Sequence, residues 1–176
     1  MGFAISFRSD HPSAEPVRAL WRQVEGFEDA PSMALLGYPP HVTLAIYDDD
    51  AVGEELVKDA LERAGRDLKA LTLTFDAIRI FEGSPMVLWA SPQPCTALSH
   101  AHEAIHATVG PAYCRPHYRP GAWVPHCTLG MRIGKDRADA ARSFAVSFQG
   151  VIDVTFDVLD CVAVPSLAPV ESRRLP

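Results

Sequence analysis

Two stretches of this 176-residue chain share the pattern Pro-His-x-Thr-Leu: "PHVTL" at 40–44 and "PHCTL" at 125–129, with their histidines 85 positions apart. On a β-strand, residues two apart share a face, about 6.6 Å apart along the chain. His41 and Thr43 then project together, as do His126 and Thr128, while Val42 and Cys127 turn back toward a core. An imidazole titrates near pH 6.5, so it gives or takes a proton at neutral pH. Displacement at phosphorus is helped by a base on the entering oxygen and an acid on the leaving oxygen, which lie in line on opposite sides of the phosphorus. Two histidines from opposed halves match that geometry. The threonine hydroxyls suit the non-bridging oxygens, where negative charge develops.

A second pattern competes. "HEAIH" at 102–106 is a formal H-E-x-x-H, which on a helix sets His102 and His106 one turn apart as zinc ligands, with Glu103 as base. No glutamate follows until Glu171, so a third ligand at ordinary spacing is missing. Leu98, Ala101, Ile105 and Val109 form an apolar stripe on the same helix, which suits packing better than metal binding. Tyr118, Arg119 and Trp123, in the loop entering the second motif, are candidates for stacking on a nucleobase. Trp123 at a strand start is as readily a core residue. His11, His100 and His117 have no evident partner and are read as surface residues, and Asp48-Asp49-Asp50 as a solvated helix entry.

The elements that must position these residues follow from hydrophobic periodicity. Phe3, Ile5 and Phe7 alternate with smaller residues, which predicts a half-buried strand at 3–8. The same stretch matches a myristoylation pattern at Gly2 and Ser6, which the strand reading displaces. "HPSAEPVRALWRQVEG" predicts a helix capped by Ser13, and "DAPSMALLGYPP" a loop into a strand at 41–47. A helix with an acidic start follows, then strands in "LTLTFDAIRIF" and "MVLWAS". Further on come a helix at 95–109, an aperiodic loop, a strand at 123–130, a helix near 136–147 and two strands in "GVIDVTFDVLDCVAVP". Strand, helix, loop and motif strand thus occur twice. The expected fold is α+β, one domain over 1–176 with two lobes about a pseudo-twofold axis, each delivering one motif strand.

Composition narrows the partners. A formal net charge of −6 argues against broad electrostatic binding to nucleic acid or anionic lipid. Four scattered cysteines, with no C-x-x-C, favour a reduced compartment. No stretch approaches the roughly 18 apolar residues of a membrane span, and the start "MGFAISFRSD" has no basic region followed by a long apolar one, so a secretory signal is not expected. The chain is expected to be cytoplasmic and monomeric, without membrane association, and no protein partner is inferable from the sequence.

The paired motifs, together with "FAISF" at 3–7, "IRIFEGSPMVLWA" at 78–90 and "FDVLDCVAVPSL" at 156–167, resemble the two-histidine (2H) phosphoesterases, in particular the LigT-like 2′-5′ RNA ligase and cyclic phosphodiesterase proteins. The resemblance implies a bilobal α+β fold with a central cleft between two antiparallel sheets and helices outside. It implies metal- and cofactor-independent cleavage of 2′,3′-cyclic or 2′-5′ phosphodiesters of nucleotides or RNA ends. His126 would activate water, His41 would protonate the leaving oxygen, and Thr43 and Thr128 would hold the phosphate. LigT-like members often carry arginine five residues after the second histidine; here that residue is Met131, with Arg132 next. On a regular strand Arg132 shares the face of His126 but lies about 20 Å away. A non-catalytic nucleotide- or RNA-binding module of the same fold, and the zinc hydrolase built on His102, Glu103 and His106, are the alternatives.

Overall fold

The computed structural model describes residues 2–48 and 52–176. Strand β1 (Gly2–Arg8) is buried on both faces, more deeply than its alternation predicts, because it runs in the middle of a sheet. β2 (His41–Asp48) and β7 (Val158–Val164) pair antiparallel on either side of it, and β8 (Ala168–Arg174) completes a four-stranded sheet beyond β7. The second antiparallel sheet also has four strands, in the order β5 (Cys127–Ile133), β4 (Met86–Pro92), β3 (Leu71–Phe81), β6 (Ile152–Phe156). Each motif strand is therefore an edge strand of its own sheet.

Among the described residues five helices lie against these sheets: α1 (Glu15–Val24), α2 (Ser32–Leu36), α3 (Glu54–Gly65), α4 (Thr96–Val109) and α5 (Ala138–Ser147). α1 buries Val17, Leu20, Trp21 and Val24, the stripe that the sequence shows. Glu54 and Glu55 open α3, where they complement the helix dipole. Among the described residues no helix is long and apolar enough to cross a membrane, and all four cysteines are free.

Several sequence readings are corrected. Ser13 does not cap α1. It sits in a 3-10 turn, and its hydroxyl accepts from the Thr155 backbone N–H at 2.8 Å. "DAPSMALLGYPP" contains α2, a helix too short for periodicity to reveal. β8 was also missed, because "APVESRR" is an exposed edge strand without an apolar face. The second motif strand begins at Cys127, not at 123, so His126 stands just before it. Asp48 ends β2 and pairs with Arg115 at 2.8 Å; Asp49 and Asp50 lie outside the described residues.

The two halves cover each other's edges. An edge strand leaves a row of backbone groups unpaired, and these need partners. The segment before β2 reaches across to β5. The Glu28 carboxylate accepts from the backbone N–H groups of Met131 (2.8 Å) and Arg132 (2.9 Å), and also from Ser32. The segment before β5 covers β2 in return, with Arg115 N–H donating to the Ile46 carbonyl at 2.9 Å. A Cβ on Gly130 would lie 2.5 Å from Val24 Cγ1 and 3.1 Å from the Glu28 carboxyl. Gly130→Ala should therefore force β5 away from α1 and lower stability by about 1–3 kcal/mol. A urea midpoint equal to that of the wild type would contradict this packing.

Candidate active site

Imidazoles at the start of β2 and just before β5 meet in one recess of about 350 Å³, which is also lined by Thr43, Thr128, Tyr38 and Tyr118. The structure thus brings His41, Thr43, His126 and Thr128 together from opposite sheets. Val42 and Cys127 point away and are buried, as alternation requires. Burial pushes the Cys127 thiol up to about 12, which removes it as a nucleophile.

Both histidines are fixed in the same way. His41 Nδ1 lies 2.9 Å from the Pro39 carbonyl and His126 Nδ1 lies 2.7 Å from the Val124 carbonyl, in each case two residues back. A carbonyl only accepts, so Nδ1 carries the proton and Nε2 is the basic nitrogen of the neutral ring. Tyr38 packs edge-on against His41, with centroids 4.9 Å apart, and Phe81 does the same for His126 at 5.1 Å. Burial lowers the pKa of both imidazoles. The carbonyl contacts oppose that shift in each, and for His41 the neighbouring His126 deepens it while Asp160 counters it.

Residues outside the motifs complete the site. Ser6 on β1 donates to Thr43 Oγ1 at 3.2 Å, leaving the threonine proton free for a ligand. Tyr38 donates to Asp160 Oδ2 at 2.6 Å, and the Arg8 guanidinium lies 3.2 Å from the same oxygen. Burial, then the Asp160 contact, raises the Tyr38 pKa. Sequence reasoning passed over Ser6 and Asp160 because only strand pairing, such as Ser6↔Thr43, brings them to the motif; Tyr38 stands three residues before His41, and that proximity was the one available signal.

A bulge sets the remaining wall. In β2 the pairing with β1 skips Leu44, and in β5 the pairing with β4 skips Leu129. Each extra residue reverses the alternation, so the fifth residue after each histidine, Ile46 or Met131, returns to the recess. On a regular strand Arg132 would have shared the face of His126; instead it is exposed and its backbone N–H binds Glu28.

Tyr118 joins the recess to an adjoining one of about 630 Å³. Arg119 and Trp123 line neither. The Arg119 guanidinium donates to the carbonyls of Cys114 (2.8 Å) and Ala112 (3.1 Å), holding the loop together. The Trp123 indole donates to the Thr43 carbonyl at 3.0 Å and stacks on His102, with centroids 4.0 Å apart. In mirror fashion, Trp21 donates to the Thr128 carbonyl at 3.0 Å.

His102 and His106 share a face of α4, as the H-E-x-x-H spacing predicts, but both are buried. Their Nε2 atoms converge on the Tyr118 carbonyl, at 2.8 and 2.9 Å, while Glu103 is exposed. The pair anchors the loop that carries Tyr118. Among the described residues no group of three or more His, Cys, Asp or Glu side chains is placed to hold a metal ion. His11 and His100 are exposed, as expected, and exposed His117 lines the larger recess.

A model of the 2′-5′ RNA ligase superfamily matches residues 11–162. No curated protein matches the sequence. Among solved structures, the chain is similar to Escherichia coli LigT in its apo form, with 18% identity and a TM-score of 0.63 over 99% of this chain and 98% of that one. LigT complexed with 3′-AMP aligns at 21% identity and a TM-score of 0.60, over 100% and 95%. TT0787 of Thermus thermophilus aligns at 15% and 0.64, over 99% and 98%. At these identities the structural likeness concerns the fold.

Burial lowers the pKa of His41, His102, His106 and His126 alike. Below about pH 6.5 the unfolded chain then binds more protons than the folded one, so stability falls as pH drops through that range. The urea midpoint should be lower at pH 5.5 than at pH 7.5; a higher midpoint at pH 5.5 would refute the assignment of neutral buried imidazoles.

Proposed function

The chain belongs to the 2′-5′ RNA ligase superfamily, and from that premise we propose that it is a phosphodiesterase that hydrolyses 2′,3′-cyclic or 2′-5′ phosphodiesters with its two histidines as acid and base. The observation that carries the reading is the mirrored pair of imidazoles. Each has its Nδ1–H tied to the carbonyl two residues back and lines the same recess from its own sheet. Metal-independent catalysis fits this pair, because it supplies both proton transfers. The 3′-AMP held by the LigT relative is a nucleoside monophosphate, the product class of such a reaction.

In the proposed reaction His126 Nε2 takes a proton from water as the water oxygen bonds to phosphorus. His41 Nε2–H gives its proton to the ester oxygen as that P–O bond breaks. The products are a phosphomonoester and a free hydroxyl, with the proton now on His126; exchange with solvent resets the pair. Burial lowers the His41 pKa most and His126 lowers it further, while the Pro39 carbonyl and the Asp160 carboxylate favour the protonated form; the carboxylate has no counterpart beside His126 and is the reason for taking His41 as the acid. The Thr43 and Thr128 hydroxyls donate to the non-bridging oxygens. Tyr118 forms the wall against which the nucleoside rests.

Turnover of a 2′,3′-cyclic nucleotide panel in EDTA tests this directly. His41→Ala and His126→Ala should each lower kcat/KM at least about a hundredfold. Activity lost to EDTA, with both variants normal, would instead assign the chemistry to the helix carrying His102 and His106. The acid must be protonated and its pKa is lowered from 6.5. kcat/KM, which reports the free enzyme, should therefore peak below about pH 6.5 and decline as pH rises. A profile still climbing above pH 7.5 would overturn the acid role of His41.

A further inference from the structure

None of the chain's 16 lysines and arginines lines either recess of the cleft, and the positions outside the described residues, Met1, Asp49, Asp50 and Ala51, include no lysine or arginine. The nearby guanidinium groups have other partners. Arg8 faces Asp160 and Asp10, Arg115 binds Asp48, Arg119 binds two backbone carbonyls, and Arg142 binds Glu82 at 2.8 Å. Among the described residues Glu82 is the one acidic side chain on the wall, and Arg142 faces it. The positions that the two bulges return to the recess hold Ile46 and Met131, so neither half points a cation at the phosphate from there. The larger recess is walled mainly by Ile80, Phe81, Val87, Val124 and Met131, and exposed His117 joins His126 as an imidazole on its wall.

Among the described residues, the only side-chain positive charge such a cleft can offer is a proton on its histidines. A diester has one negative charge, and the singly protonated histidine pair balances it. A second phosphate, carrying about −1.5 to −2 at neutral pH, would meet mainly apolar walls and the His117 imidazole, with no permanently charged lysine or arginine to offset the lost hydration. The formal net charge of −6 adds a long-range field of the same sign.

We infer that the cleft selects phosphodiesters whose single negative charge is the only charge they carry, with an apolar or aromatic group beside it, and turns away substrates bearing a further phosphate. This rests on the phosphodiesterase reading and narrows its substrate class: a nucleoside 2′,3′-cyclic phosphate with a free 5′-hydroxyl fits, whereas a 5′-phosphorylated end or a pyrophosphate-bearing nucleotide does not.

The test compares kcat/KM of the full chain for adenosine 2′,3′-cyclic phosphate with that for the same molecule carrying a 5′-phosphate, at 50 mM salt. The 5′-phosphate should lower kcat/KM at least about tenfold. Met131→Arg and Ile46→Arg, which place a cation on the wall, should each shrink the ratio, whatever they do to the absolute rates. Equal or faster turnover of the 5′-phosphorylated substrate by wild type overturns the inference and leaves the phosphodiesterase reading standing. If neither substrate reacts, that reading fails, and calorimetry with adenosine 3′-monophosphate and adenosine 3′,5′-bisphosphate decides the inference by itself. Weaker binding of the bisphosphate supports it, and equal or tighter binding, or binding of neither, overturns it.

Discussion

Two indole N–H groups hold the site together. Trp21, from the segment before β2, donates to the carbonyl of Thr128; Trp123, from the segment before β5, donates to the carbonyl of Thr43. Each motif threonine is thus held through its backbone by the opposite half of the chain. The unpaired backbone groups of an edge strand have to be satisfied, and a second half-molecule does so here. Glu28 on the Met131 and Arg132 amides and Arg115 on the Ile46 carbonyl extend the same exchange. The spacing between the two imidazoles depends on how the sheets meet, and these crossed contacts tie the sheets to one another.

The crossed contacts also explain why so much polar machinery is spent behind the cleft. His102 stacks on Trp123, and His102 and His106 both contact the Tyr118 carbonyl. One buried layer therefore fixes the indole that holds Thr43 and the loop that presents Tyr118. Buried imidazoles are costly when charged, and they stay neutral by lowering their pKa. The H-E-x-x-H spacing arises because two residues one helical turn apart both reach one loop. The need for a packed polar anchor produces the same spacing as a metal site would.

Much of this was legible in the sequence, for definite reasons. Alternation and the 3.6-residue stripe are local, so β1, α1, α3, α4 and the motif strands were read correctly in kind. The doubled motif in matching contexts was enough to set His41, Thr43, His126 and Thr128 against one another. What escaped was non-local or without pattern. α2 has five residues in a proline- and glycine-rich stretch, and β8 has no buried face. The bulges at Leu44 and Leu129 are departures from a period, so extrapolating the period placed Arg132 on the face that Met131 occupies. Ser6 and Asp160 belong to the site only through strand pairing, and Arg119 and Trp123, candidates for stacking on a base, make their hydrogen bonds to backbone carbonyls.

The symmetry stops at the side chains around each imidazole, and that difference bears on the direction of the proposed reaction. Opposite Thr43 stands Ser6, and next to His41 lies Tyr38, whose hydroxyl binds Asp160. Opposite Thr128 stands Trp89, which stacks on Phe81, and both aromatic rings press edge-on against His126. One histidine therefore has a polar neighbourhood with a carboxylate within electrostatic reach, while the other has an aromatic one. Two sites with matching backbone contacts and different surroundings hold a proton unequally: burial and the neighbouring His126 disfavour it on His41, while the Asp160 carboxylate favours it there. The duplicated backbone supplies two imidazoles lining one recess, and in the proposed reaction their unequal surroundings distinguish acid from base.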